Sequence, residues 1–348
     1  MKKNSVCIFL FLCLSVLISG CDQKEVFFET HSSDERLHFG IAVEGLPETV
    51  DGLYALEQKS GLPVSMVNFF LQWPQDPQEA EFPYAAFKAI HDLGAVPILT
   101  WEPMYYKGEV EYMIPAMDIL SGKYDEYINF FALRVRELGS PVIIRFAHEM
   151  NLQRYHWGSD ESDYGPQSPE RYKRMFRYVH ARFDEVGADN ALFAFCPNSE
   201  SIPHPEYDQD AAWNTAMNYY PGDIFVDILG MDGYNWGTTQ RAEIHGWDST
   251  WRSFEDIFRP IYHELKKINS AKPIMVFETA TARQGGNADT WVIEAFKTAN
   301  SWGLSAVIWF QVDKELEWIL DRKEGSDYAG EVRRMLFFPS GIMADRQG

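Results

Sequence analysis

YDEYINFFALRVRELGSPVIIRFAHEMN, residues 124–151, holds the alternation that decides the fold. Tyr124–Leu138 has apolar residues at helical spacing, and Gly139 follows where a helix end wants a residue free to turn left-handed. Val142–His148 then reads as a strand. Its opening Val142-Ile143-Ile144 is apolar on both faces, as a parallel strand covered on both sides must be. Polar residues gather only at its far end, in Arg145-Phe146-Ala147-His148-Glu149-Met150-Asn151.

The same unit recurs on either side. Strands are expected at Leu37–Val43, Val64–Gln72, Val96–Trp101, Ala191–Cys196, Val226–Met231, Ile274–Glu278 and Ser305–Phe310. Helices are expected at Thr49–Lys59, Tyr84–Leu93, Pro169–Val186, Ala212–Tyr219, Phe254–Ile268, Thr290–Trp302 and Glu331–Phe337. Gly61, Gly94, Gly187 and Gly303 stand as stops before the next strand, as Gly139 does. Eight βα units in one chain of this length predict an α/β fold, a single (β/α)8 TIM barrel. No Gly-rich phosphate loop follows the first strand, which argues against a dinucleotide-binding sheet. The domain reading is a leader over 1–20, a tether over 21–36, a barrel over 37–340 and a tail over 341–348.

The chain has 348 residues, a formal charge of −20 and 11 Trp. That acidic balance leaves no basic stripe to neutralise phosphates, so no nucleic-acid partner is expected. The Trp content suits sugar binding, because an indole face packs against the C–H face of a pyranose. Lys2 and Lys3 precede a short apolar run from Val6 to Ile18, an export leader rather than a membrane span. Leu17-Ile18-Ser19-Gly20-Cys21 resembles a bacterial lipoprotein box, which implies a lipid anchor on Cys21 and a place in the cell envelope. The other reading is an ordinary signal peptide with an incidental Cys. Of the four cysteines, Cys7 and Cys13 leave with the leader and Cys196 sits in an apolar run. No disulfide framework, no zinc spacing and no cofactor are expected. The chain is read as a monomer.

A (β/α)8 barrel carries its chemistry at the C-terminal ends of the strands. Reading those ends in order brings Trp101-Glu102, His148-Glu149 with Asn151, Asn198, Asp232 to Trp236, Glu278 and Trp309 to one rim. Acids and Trp together point to glycosidic bond cleavage, which needs one protonated and one ionised carboxyl flanking the bond. Glu149 on the fourth strand and Glu278 on the seventh face each other across the mouth. That placement is compatible with the separation of about 5–5.5 Å that goes with retention of configuration. Arg145 is expected to pair with Glu102 or Glu149.

The segment PVIIRFAHEMNLQRYHWG, residues 141–158, resembles the acid/base signature of glycoside hydrolase family 26. Residues 220–237 (YPGDIFVDILGMDGYNWG), 272–280 (KPIMVFETA) and 306–320 (AVIWFQVDKELEWIL) are similar to that family's sixth, seventh and eighth strand regions. The resemblance covers roughly residues 37–340. It implies a retaining double displacement with Glu149 as acid/base and Glu278 as nucleophile. It also implies His148 orienting the site and touching the sugar, Tyr234 hydrogen-bonding the nucleophile, Trp309 as the platform at the cleavage point and Trp157 lining the cleft. Trp101, Glu102, Asn151 and Arg154 complete the expected substrate contacts.

One position departs from the family: Arg154 stands where many members have Trp. The change exchanges a stacking surface for a cation with five donors and weakens the implied mannan preference. Arg154 either meets substrate or is held by Asp160 or Glu161. Glu102 is either a third carboxylate for a hydroxyl or a support for Arg145. The leading expectation is an endo-acting hydrolase of β-1,4-linked, mannan-type polysaccharide. The alternatives are a mixed-linkage β-glucanase of the same mechanism, or a non-catalytic, lipid-anchored polysaccharide-binding protein or exopolysaccharide accessory factor.

Overall fold

The computed structural model describes residues 36–322 and 328–337. The leader, the tether up to residue 35, Cys21 and the tail over 341–348 lie outside the described residues. Eight parallel strands close into a barrel: β1 (His38–Ala42), β2 (Met66–Gln72), β3 (Val96–Glu102), β6 (Val142–Phe146), β7 (Ala191–Phe195), β8 (Ile228–Asn235), β9 (Ile274–Thr281) and β10 (Ala306–Phe310). β10 pairs with β1 to complete the ring. Strands β4 (Met104–Lys107) and β5 (Val110–Met113) form a separate antiparallel hairpin above β3 that the sequence reading did not anticipate.

The helices are α1 (Val50–Ser60), α2 (Tyr84–Leu93), α3 (Ala116–Leu120), α4 (Asp125–Leu138), α5 (Ser168–Val186), α6 (Ala216–Tyr219), α7 (Ala242–His245), α8 (Phe254–Ile268), α9 (Ala288–Ser301) and α10 (Tyr328–Arg333). α4 shows why they form. Asp125 and Glu126 occupy its first turn, where the helix dipole favours negative charge. Tyr127, Ile128, Phe131, Ala132 and Val135 make its buried stripe, and Gly139 closes it at φ 66°. Gly61, Gly94 and Gly187 end their helices in the same left-handed conformation.

Two expectations about length need correction. The last helix lies at Tyr328–Arg333 and not at Glu331–Phe337, because Leu336 leaves it to pair with Leu37 beside β1. The helix expected over Ala212–Tyr219 is confined to Ala216–Tyr219, started by the Thr215 side chain accepting from Asn218 N.

The strands sort their side chains by alternation. Met66, Ile98, Ile143, Leu192, Ile228, Phe277 and Ile308 fill the barrel interior. Phe39, Val67, Leu99, Ile144, Phe193, Leu229 and Val307 pack outward beneath the helices. Gly230 makes room inside: a Cβ there would sit 2.5 Å from the Phe277 ring.

Candidate active site

Two local irregularities aim the acidic residues into the mouth of the barrel. β6 ends at Phe146 because Ala147 and Glu149 both adopt left-handed backbone, at φ 49° and 50°. Such conformations cost about 1–3 kcal/mol each in side-chain-bearing residues and persist only where surrounding bonds enforce them. Here Ala147 N donates to Trp101 O at 3.1 Å and Glu149 N to Cys196 O at 2.8 Å. As a result, His148 and Glu149, adjacent in sequence, both line the cavity.

The second irregularity lies in β9. Val276 pairs with Met231 and Glu278 with Asp232, while on the other side Val276 pairs with Val307 and Thr279 with Trp309. Both neighbours therefore show one extra residue in β9, a bulge at Phe277–Glu278. Phe277 fills the barrel while Glu278 also faces inward, into the cavity above.

The cavity has a volume of about 410 Å³. Glu149 is buried at its wall, where its Oε1 accepts from Asn198 Nδ2 at 2.6 Å. Burial pushes its carboxyl up to about 7; the neighbouring Glu278 charge adds to the rise and the Asn198 bond opposes it. Glu278 is surrounded differently. Arg145 Nη1 donates to its Oε1 at 2.6 Å and the Tyr234 hydroxyl to its Oε2 at 2.5 Å. Arg145 lies fully buried inside the barrel, where it also donates to Thr100 Oγ1 at 3.0 Å and, through Nη2, to Asp232. Burial pushes the Asp232 carboxyl up against the pull of Arg145, and the Cys196 thiol donates to it at 3.2 Å. The expected pairing of Arg145 with Glu102 or Glu149 is thus corrected: its partners are Glu278 and Asp232.

Of the residues expected at the site, Glu149, Glu278, His148, Tyr234, Glu102 and Arg154 line the cavity. Burial, followed by the charges of Arg145 and Arg154, lowers His148 well below the usual histidine range, so its ring is neutral near pH 7. Glu102 accepts from Gln72 Nε2 at 2.5 Å, and burial pushes it up to about 7. Arg154 is held by neither Asp160 nor Glu161. It forms a two-pronged bond to Glu111 on β5 and lies over the Tyr155 ring at 4.8 Å.

Trp101, Trp157, Trp309 and Asn151 do not line the cavity. Trp101 and Trp309 occupy the outward parity of their strands. Trp101 Nε1 donates to the Tyr127 hydroxyl, and Trp309 packs on Trp291 of α9. Trp157 stacks on Tyr155 and donates to His148 O at 2.6 Å, supporting the wall from behind. Asn151 holds the segment that presents Asn198, accepting from its N and donating to its O.

Besides Tyr234, the aromatic lining comes from Trp236 and Phe310, which stand at strand ends but were not expected as substrate contacts, and from Phe70, Tyr106, Tyr155 and Trp318. Phe310 was one position from the chosen Trp309. Trp318 is presented by a loop that Trp309 fastens, its Nε1 donating to Trp318 O at 2.8 Å. Among the described residues no group of three or more His, Cys, Asp or Glu is arranged to hold a metal ion.

Comparison with known proteins follows the same lines. Residues 116–249 match the model described as Glycosyl hydrolase family 26. Across 310 residues, 88% of this chain, the sequence is 30% identical to Endoglucanase H of Acetivibrio thermocellus. A 100-residue stretch, 28% of the chain, is 31% identical to a mannan endo-1,4-beta-mannosidase of Bacillus subtilis. The chain spans 31% of the length of the first of these relatives and 24% of the second. In fold, it resembles a solved Bacillus subtilis mannanase with a TM-score of 0.61 at 15% identity, covering 91% of both chains.

Proposed function

This chain belongs to glycosyl hydrolase family 26, and from that premise we propose that it is a retaining endo-β-glycosidase that cleaves β-1,4-linked polysaccharide. The observation that carries the reading is the unequal setting of two carboxyls in one cavity. Glu149 is buried with one neutral donor, and Glu278 is held by a cation and a phenol. Two carboxyl groups so differently surrounded can divide acid and nucleophile roles between them.

In the first step a Glu278 oxygen attacks the anomeric carbon as the glycosidic C–O bond breaks, and Glu149 gives its proton to the departing oxygen. The sugar is left as an ester on Glu278, whose charge is gone, and the pKa of Glu149 then falls. In the second step Glu149 takes a proton from water, the water oxygen attacks the anomeric carbon, and the ester breaks with net retention. His148, neutral and lining the cavity, offers a hydrogen bond to a sugar hydroxyl; Phe310 and Trp318 offer apolar faces. Buried Arg145 and partly buried Tyr234 keep Glu278 oriented.

Mannan is the backbone the family resemblance suggests first. A β-glucan is the second reading, favoured by the relative named an endoglucanase, which aligns along 88% of the chain against 28% for the mannosidase. The test is release of reducing ends from mannan, glucomannan, mixed-linkage glucan and acidic polymers, with Glu149→Gln and Glu278→Gln as controls. Binding without turnover on every polymer would favour the non-catalytic alternative. Wild-type turnover by the Glu278 variant would remove the mechanism. Acylation at Cys21 and location in the cell envelope are proposed from the sequence of residues 1–21. Incorporation of labelled fatty acid that vanishes in Cys21→Ser checks them.

A further inference from the structure

Trp236 lines the cavity. Its ring meets Trp318 at 5.0 Å and 86° on one side and Trp247 at 5.8 Å and 83° on the other. Trp318 is buried, whereas 45% of Trp247 is exposed. Three indoles thus run in contact from the cavity wall to the open surface. Three residues before Trp247, Ile244 is 73% exposed.

The excursion that carries Trp247, between β8 and α8, is tied down by its own polar bonds. Thr239 Oγ1 donates to Trp236 O at 2.7 Å, Gln240 N to Ser249 Oγ at 2.9 Å, and Ala242 N to Asp248 Oδ1 at 3.0 Å. Thr238 N donates to Gln284 O at 3.2 Å and Arg252 N to Asn235 Oδ1 at 3.0 Å, fastening both ends to the barrel. Long connections of this kind in compact domains are commonly functional. Trp247 is not an isolated surface indole, because through Trp236 it extends the aromatic wall of the cavity to the surface.

We propose that Trp247 is a sugar-binding platform outside the cavity, taking a pyranose ring of the same polysaccharide chain at a distance from the bond being cut. The inference rests on the hydrolase reading above. Three features select this occupant. The platform is continuous with Trp236 and so with the cavity. A cavity of about 410 Å³ is of the size that encloses a drug-sized ligand, so a polymer must continue beyond it. An indole combines a large apolar face with a polar edge, which suits the C–H face and hydroxyl rim of a pyranose.

The test compares substrates of different length. In Trp247→Ala the ratio of kcat/KM on polymer to kcat/KM on the shortest oligosaccharide cleaved should fall about tenfold, the order expected when an aromatic face loses its apolar contact. Trp247→Phe, which keeps a ring beside Trp236, should fall in between. An unchanged ratio, or an equal loss on all lengths, overturns the proposal, the second outcome showing that Trp247 acts only by supporting Trp236. Retardation of the Glu149→Gln chain in gels containing the polysaccharide separates the two levels. If that chain is retarded and Glu149→Gln/Trp247→Ala is retarded equally, the platform is wrong while the cavity reading stands. If no polymer is cut by the wild type or retards the Glu149→Gln chain, the hydrolase reading falls and the platform with it.

Discussion

The ends of β6 and β9 each deliver one glutamate to the same cavity by breaking regularity, yet they surround it in opposite ways. At β6, two left-handed residues lift Glu149 into a wall where the Asn198 side chain donates to it at 2.6 Å. At β9, a bulge turns Glu278 onto Arg145 and Tyr234, so both of its oxygens accept hydrogen bonds. Under the proposed mechanism, the difference teaches how one barrel can hold an acid and a nucleophile side by side. Burial keeps a proton on the first, pushed up to about 7, while a cation and a phenol hold the second in place.

The strongest way to break that contrast is to remove the carboxylates themselves. Glu149→Gln and Glu278→Gln should each lose at least about 10³ in kcat on polysaccharide, because the pair acts as a unit. Their roles separate on an aryl glycoside whose leaving group needs no proton: the Glu149 variant should still form the glycosyl ester, seen as a burst of phenol, and the Glu278 variant should not. Equal behaviour of the two would mean the roles are not divided.

Next in size is Arg145, buried between Glu278 and Asp232. Arg145→Met leaves two buried carboxyls without their cation and should destabilise the fold by about 3–5 kcal/mol in urea denaturation. A loss under about 1 kcal/mol would show that Arg145 is not what balances the β9 side. Tyr234→Phe removes one donor from Glu278 and should lower kcat by about 10- to 100-fold with little change in stability, since a hydrogen bond to a charged group is worth about 1.5–3 kcal/mol.

The smallest effect sharpens the β6 side. In the proposed mechanism Glu149 is protonated for the first step, so kcat/KM should fall as pH rises through about 7. The Asn198 bond lowers that value. Asn198→Ala should therefore move the alkaline limb to higher pH, and a shift to lower pH would contradict the burial-driven account.

Much of this was legible in sequence. Apolar runs such as Val142-Ile143-Ile144, and glycines at helix ends, mark βα units because hydrogen-bonded backbone and a two-sided core admit few other patterns. The glutamates were legible as acids at strand ends. Beyond Tyr234 and Trp236, the aromatic lining was not. Alternation along β3 separates Glu102, which faces the cavity, from Trp101, which packs outward. On β10 polarity would have misled, since Gln311 shares the outward parity of Trp309 and satisfies itself against Leu320, its Nε2 donating to Leu320 O at 3.0 Å. The hairpin of β4 and β5, which supplies Tyr106 and the partner of Arg154, left no apolar run to find.

The sequence by itself determined the barrel, the order of its units and the two glutamates, because periodicity and strand-end chemistry are local properties of the chain. Tertiary structure decided which way each side chain points. The bulge in β9 and the left-handed turns after β6 exist only because neighbouring strands hold them in register. The buried Arg145 cation meets Glu278 and Asp232 because the barrel closes around it, bringing together residues 87 to 133 positions apart.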